Sequence, residues 1–275
     1  MRARTLLLSL AVSLLAACAT TPAPEPVAEA APPPMAPPAA VAAAVGSITS
    51  VALAAPGRTD ADRERDARDR PAEVLALAGF GPGMVIADVF GGGGYYSEIL
   101  SHVVGPTGRV RLLNNAAYDS FAKKTLEPRL AGGRLANVDY AVVPPEALGL
   151  GTATLDGALI VMSYHDLYFA DPKDGWPAID ASQFIDQLVT ALKPGATLLI
   201  VDHQAKPGSG RADTQDLHRI EDTFAIADFR AHGLELVRST ELLRNPADDH
   251  SKNVFDAAIR GKTDRFVHVY IKPAD

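Results

Sequence analysis

The sequence predicts an α/β fold: one doubly wound, seven-stranded, mostly parallel sheet with an antiparallel strand at its C-terminal end. Three observations point there. Short apolar runs of strand length alternate with helical stripes from residue 84 to residue 231. A run of glycines directly follows the first of those strands and opens a helix. The last two apolar runs, Leu234 to Ser239 and Phe266 to Ile271, have no convincing helix between them, which suits an antiparallel pair.

The elements follow in order. Arg58 to Arg70 carries Arg63, Arg65, Asp66, Arg68 and Asp69 at helical spacings and reads most simply as a solvated, charged helix face. Pro71 opens an apolar stripe through Leu77, and Gly79, Gly81 and Gly83 close it. Met84 to Phe90 is a buried strand with one Asp inside it. Tyr95 to Val104 is helical, Arg109 to Leu113 a second strand, Asp119 to Leu130 a helix, Leu135 to Val143 a third strand and Asp156 to Met162 a fourth. Ser182 to Leu192 places Phe184, Ile185, Leu188, Val189 and Leu192 on one helical face, and Lys193-Pro194-Gly195 stops it. Thr197 to Val201 is the fifth strand, followed by a helix near Asp213 to Ala231. Strands alternating with helices imply right-handed crossovers and a parallel sheet.

Composition excludes several classes. The 275 residues are 47% hydrophobic, enough for a substantial core. A net charge of −7 argues against a protein built to neutralise nucleic-acid phosphates. Cys18 is the only cysteine, so neither an intramolecular disulfide nor a cysteine-based metal site is available. The N-terminus divides from the rest. Arg2 and Arg4 precede a short apolar run, Leu6 to Ala17, which ends in Leu15-Ala16-Ala17-Cys18. That ending resembles the bacterial lipobox, so residues 1–18 are expected to be a signal peptide with Cys18 lipidated. An ordinary secretory leader cut near the alanines is the alternative. With Ala19 next, the resemblance implies a lipid anchor in the cell envelope, at the outer membrane and facing the periplasm. Residues 19–57 are rich in Ala and Pro and are expected to form an extended tether. Residues 58–275 form the single domain.

The first strand-to-helix turn is Asp88-Val89-Phe90-Gly91-Gly92-Gly93-Gly94-Tyr95. Its glycines let a ligand approach the backbone, and the helix that follows offers unpaired N–H groups. The dinucleotide spacing G-x-G-x-x-G is absent, as is the Lys-Ser/Thr of a P-loop. Asp-x-x-x-Gly-x-Gly after the first strand resembles motif I of the class I S-adenosylmethionine-dependent methyltransferases. Leu192-Lys193-Pro194-Gly195 resembles that family's turn before strand five, and the terminal strand pair resembles its final hairpin. The run from Arg65-Asp66 through Glu98 also looks like a subgroup of bacterial methyltransferases that often carry export signals. The resemblance implies a Rossmann-like methyltransferase fold with S-adenosylmethionine as cosubstrate. It implies that Asp88, Gly91, Gly92, Gly94 and Tyr95 form the first part of its site, with Ser163 after strand four. The end of strand two, which in the family supplies an acidic residue for the ribose, carries Asn114 and Asn115, and Phe90 stands where a small residue is usual.

In such a sheet the acceptor lies above the carboxyl ends of strands four and five. These read Met162-Ser163-Tyr164-His165-Asp166 and Asp202-His203-Gln204. Transfer to oxygen needs a base, so His165 is the first candidate, Asp166 orients it, and His203 is the second. Trp176, Tyr168 and Phe169 read most simply as packing residues, with an apolar substrate wall as the alternative. The segment from Asn245 to Arg265, with Asp248, Asp249, His250, Lys252 and Lys262, is long enough for a lid on the same side. His165, Asp202, His203, Asp249 and His250 also suit a nitrogen and oxygen metal site, but their spacing is not diagnostic and no metal is assigned. The reading is therefore a methyltransferase acting on a small molecule, without nucleic-acid partners and with membrane attachment only through Cys18. An envelope lipoprotein that keeps the fold as a binding or scaffold module is the alternative.

Overall fold

The computed structural model describes residues 39–274, all within one unit, Pro33–Asp275. Cys18 and the leader lie outside the described residues. The sheet has seven strands in the order β3-β2-β1-β4-β5-β7-β6. They are β1 (Val85–Val89), β2 (Arg109–Asn114), β3 (Val138–Val142), β4 (Leu155–Val161), β5 (Leu192–His203), β6 (Glu235–Thr240) and β7 (Arg265–Ile271). β1 pairs in parallel with β2 and β4, and β4 with β5; β7 runs antiparallel to both β5 and β6. The sheet, its doubly wound order and its antiparallel end match the sequence expectation.

Two apolar layers cover the sheet. On one face α1 (Ala39–Leu53), α3 (Pro71–Ala78) and α4 (Tyr95–Val104) pack Ala52, Leu75, Ile99 and Leu100 against Ile86, Val110 and Leu199. On the other, α6 (Ala181–Ala191) and α8 (Asp222–Ala231) pack Phe184, Leu188 and Phe229 against Ala158, Ile160 and Ile200, joined by Tyr118 of α5 (Ala116–Leu130). The α6 stripe Phe184, Ile185, Leu188 and Ala191 is wholly buried. Each large side chain there contributes roughly 1.5–3 kcal/mol.

Three segments depart from the sequence reading. Residues 39–53 of the expected tether form α1, and Val45, Thr49 and Ala52 are buried. Ala-rich sequence has high helix propensity, and these few larger residues find a partner on α3 and α4. The charged run, now α2 (Asp60–Asp69), is capped by Thr59 and Asp62 in a capping box and is not simply a solvated face. Asp62 pairs with Arg129 at 2.7 Å, Arg58 with Asp66 at 2.5 Å, and Asp69 with both Arg65 and Arg265 at 2.7 and 2.8 Å. These pairs bolt α2 to α5 and β7. The expected helix of residues 213–231 is broken into α7 (Thr214–Leu217) and α8. His218 adopts a left-handed conformation (φ 55°), and Ile220 then bridges to Gln204 at the end of β5. β5 itself begins at Leu192, since Leu192 pairs with Leu155 before the Lys193-Pro194-Gly195 corner.

Candidate functional site

The carboxyl ends of β4 and β5 open into a cavity of about 610 Å³. His165, Asp166 and His203, the three residues expected to act on a substrate, all line it. Its walls are Tyr118, Phe121, Phe169, Trp176 and Phe255, with Met162, His218 and Arg260. Phe121 and Phe255 are more than half exposed. Trp176 and Phe169 take wall positions. Tyr168 does not; its hydroxyl donates to Asp228.

The polar floor is a chain of carboxylates and imidazoles. Asp202, completely buried in β5, accepts from the backbone N–H of His165 and meets His165 Nδ1, both at 2.8 Å. His165 Nε2 faces Asp166 Oδ1 at 3.2 Å. Asp166 Oδ2 accepts from the Tyr118 hydroxyl. Burial opposes a charged ring at His165, but the carboxylates of Asp166 and Asp202 outweigh it and lift the imidazole to about 9. The same pairing holds Asp166 below the usual carboxylate range despite its burial. His203 behaves oppositely. Burial, then the neighbouring His165 and Arg265, push it well below the ordinary histidine value, so its ring is neutral. Its Nδ1 lies 2.7 Å from Thr263 Oγ1, which leaves Nε2 for the cavity. His165 is thus clamped between two carboxylates, whereas the His203 ring meets Thr263.

Backbone strain gathers at this end of the sheet. Of the six non-glycine residues with positive φ among the described residues, Phe90 follows β1, Met162 follows β4, and His218 lines the cavity. Each such conformation costs roughly 1–2 kcal/mol and persists only where packing over-determines it.

The glycine turn is built differently. None of Asp88, Gly91, Gly92, Gly94, Tyr95, Asn114, Asn115 or Ser163 lines the cavity. Asp88 is buried and accepts from Ser97 Oγ at 2.6 Å, and burial raises its carboxyl to about 6. The Tyr95 hydroxyl donates to Asp66 at 2.6 Å rather than facing a ligand, with the Arg65 guanidinium 4.0 Å from its ring centre. Asn114 is closed onto the turn: its Oδ1 accepts from Gly92 N at 2.9 Å and its Nδ2 donates to Gly92 O at 3.0 Å. Asn115 caps α5 by accepting from Tyr118 N. Both asparagines therefore serve the fold. Phe90 stacks on Tyr118 at 4.9 Å and meets Phe184 at a tilt at 5.2 Å.

Sequence reasoning missed His218, which lines the cavity, and Arg219, which clamps the neighbouring chain through Asp248. Nothing in Leu217-His218-Arg219 marks either; the Ile220 bridge beside Gln204 is what brings His218 to the cavity. The long segment Asn245 to Arg265 does reach the cavity, through Val254, Phe255 and Arg260. Asp249 and His250 do not: they bond to Ser251 and Asp264.

This strand order, with a glycine turn after β1 and a terminal antiparallel pair, is the class I methyltransferase fold. A methyltransferase structure from Aquifex aeolicus, described as S-adenosylmethionine dependent, superposes with a TM-score of 0.55 at 19% identity, covering 78% of this chain and all of that one. The [4+2]-cyclase SpnF superposes at 0.54 and 15% identity, covering 78% of this chain and 82% of its own. Such likenesses show the fold alone. In sequence, the chain is 29% identical over 129 residues to the ubiquinone/menaquinone biosynthesis C-methyltransferase UbiE of Hydrogenovibrio crunogenus and 30% identical to that of Shewanella piezotolerans. Each match covers 47% of this chain and 46% of the relative, so the chain spans about half the length of the curated relatives it matches. No family model matches the chain.

Proposed function

We propose that the protein is a methyltransferase that uses S-adenosylmethionine and acts on a small molecule. The observation that carries this reading is the Gly91–Gly94 turn at the C-terminal end of β1. Gly92 has φ 56°, and a Cβ built there meets nothing within 4 Å. The space in its Cβ direction is thus open, although Asn114 takes both its N–H and its C=O, while Gly91 and Gly93 are packed closely against their neighbours. An open face on the turn ahead of the α4 N-terminus fits the amino-acid end of an adenosyl sulfonium. The ribose end fits less well, because Asn114 and Asn115 are engaged within the fold and β2 ends without a carboxylate.

When bound, the cosubstrate supplies an electrophilic methyl group. The remaining tasks fall to this chain. Gly92 allows close approach, and Asp88 holds the turn through Ser97. Phe169, Trp176 and Phe255 surround an apolar acceptor and exclude water. His203 takes the acceptor's proton at Nε2, while Thr263 fixes its tautomer through Nδ1. His165, held by Asp202 and Asp166, forms the polar floor beneath the acceptor.

Calorimetry with S-adenosylmethionine, S-adenosylhomocysteine and NAD tests the reading. The two adenosyl sulfur compounds bind the wild type and NAD does not. Gly92→Arg abolishes binding while leaving the fold intact. Absence of heat with all three ligands, or unchanged binding by Gly92→Arg, refutes it.

The location is proposed on the leader: Cys18 carries the lipid and holds the enzyme at the envelope. Among the described residues no helix is long and apolar enough to cross a membrane. Labelled fatty acid incorporated by the wild type and not by Cys18→Ser supports the anchor; equal labelling overturns it.

A further inference from the structure

We infer that His165, Asp166 and His218 form a binding site for a borderline divalent cation such as zinc, with its open position facing the aromatic cavity. The three side chains come from two separate stretches of chain and converge on one point. His165 Nε2 lies 3.2 Å and His218 Nδ1 3.6 Å from Asp166 Oδ1, and one ligand atom from each of the three lies within 4.8 Å of the others. Nitrogen and oxygen ligands about 2.0–2.2 Å from a tetrahedral zinc stand about 3.4 Å apart, so both short edges already match a metal's coordination shell. Two imidazoles and one carboxylate, with no thiolate, select zinc, cobalt and their neighbours over calcium or magnesium.

The surroundings orient each ligand. His165 Nδ1 is held by Asp202 at 2.8 Å, which turns Nε2 toward the centre, the carboxylate-histidine arrangement common behind metal-bound imidazoles. The Tyr118 hydroxyl occupies Asp166 Oδ2 and leaves Oδ1 for the centre. His218 Nδ1 is buried without a hydrogen-bond partner among the described residues. Such an orphan is rare and calls for an explanation. The ring is held in place by Phe169 at 4.6 Å and Phe255 at 5.0 Å, and its backbone is kept in a strained left-handed conformation (φ 55°). A cation satisfies the orphan nitrogen and offsets the paired carboxylates of Asp166 and Asp202. Three protein ligands leave a fourth position open, as in catalytic rather than structural zinc sites. That position suits water or the anionic oxygen of a small apolar ligand seated between Trp176, Phe169 and Phe255. The site stands on these contacts and not on the methyl-transfer reading.

The test is titration of chelator-treated full-length protein with cobalt, followed by its visible absorption, with zinc as competitor. The wild type takes up one equivalent, gives a tetrahedral or five-coordinate spectrum, and loses it to zinc. His218→Asn, which tolerates the left-handed backbone, and Asp166→Asn each weaken binding at least about tenfold, since even an outer-shell partner is worth 10–100-fold. His250→Asn, away from the cluster, binds as the wild type does. Circular dichroism and thermal melts confirm that each variant is folded. No cobalt spectrum in the wild type, or an undiminished one in folded His218→Asn, overturns the proposal.

Discussion

Replacing Arg219 by methionine removes a guanidinium that is completely buried. Its Nε donates to Lys252 O, one Nη to Gln204 O, each at 2.9 Å, and the other Nη pairs with Asp248 at 2.9 Å. Asp248 is itself buried and also accepts from the backbone N–H of Asp264 and of His250. Methionine fills a similar volume, so the loss is electrostatic. A buried carboxylate is left without its cation, and two carbonyls lose a donor. Breaking one side of a buried pair typically costs 3–5 kcal/mol. With a urea m-value of roughly 2–3 kcal/mol per molar, the unfolding midpoint falls by about 1.5 M. Trp176, the only tryptophan, lies in the cavity wall and reports the transition by fluorescence. The same clamp ties the segment carrying Phe255 and Arg260 to the end of β5, so cavity ligands weaken in parallel. A cycle with Asp248→Asn should show the two losses to be strongly non-additive. A loss below about 1 kcal/mol, or simple additivity, refutes the clamp.

Other consequences follow from single contacts. Gly91→Ala forces a Cβ within 2.5 Å of Asp88 and Leu112 and costs about 1–3 kcal/mol, whereas Gly92→Ala meets no atom and costs only about 1 kcal/mol of backbone strain, both read by urea denaturation. Burial, partly opposed by Asp222, lowers His268 to about 4 in the folded state, against an ordinary value of 6.5. The unfolded chain therefore takes up the proton first, and stability contributed above pH 6.5 is lost as pH falls toward 4, by up to about 3 kcal/mol; denaturation across that range should be flatter for His268→Gln than for the wild type. Val45→Asp places an unpaired carboxylate under α1 and lowers stability by roughly 2 kcal/mol or more, while a change within about 0.5 kcal/mol would mean that residues 39–53 are a tether after all.

Local pattern was enough for most of the architecture. The Tyr95 to Val104 helix and the β4 run show their periods directly, and the missing helix before Phe266 announces the antiparallel end. That His165, Asp166 and His203 come together was also legible, because in a parallel sheet the residues just past strands four and five must share one edge. What escaped was set by partners distant in sequence. The Arg/Asp run carries no sign that Asp69 will meet Arg265, nearly two hundred residues away. The Ala-rich stretch shows no sign that α3 and α4 await it. Asn114 looks like a weakened ribose ligand until its amide is seen closed on Gly92 from both sides. His218 falls inside an apparent helix, and only the Gln204–Ile220 bridge turns it into the site.

A crystal structure grown with S-adenosylhomocysteine tests the central claim most directly. The account predicts density for the amino-acid portion in the open space beside Gly92, with the sulfur directed toward the cavity that His203 and Trp176 line. Density confined to another surface, or a ligand-free turn at saturating concentration, would contradict it.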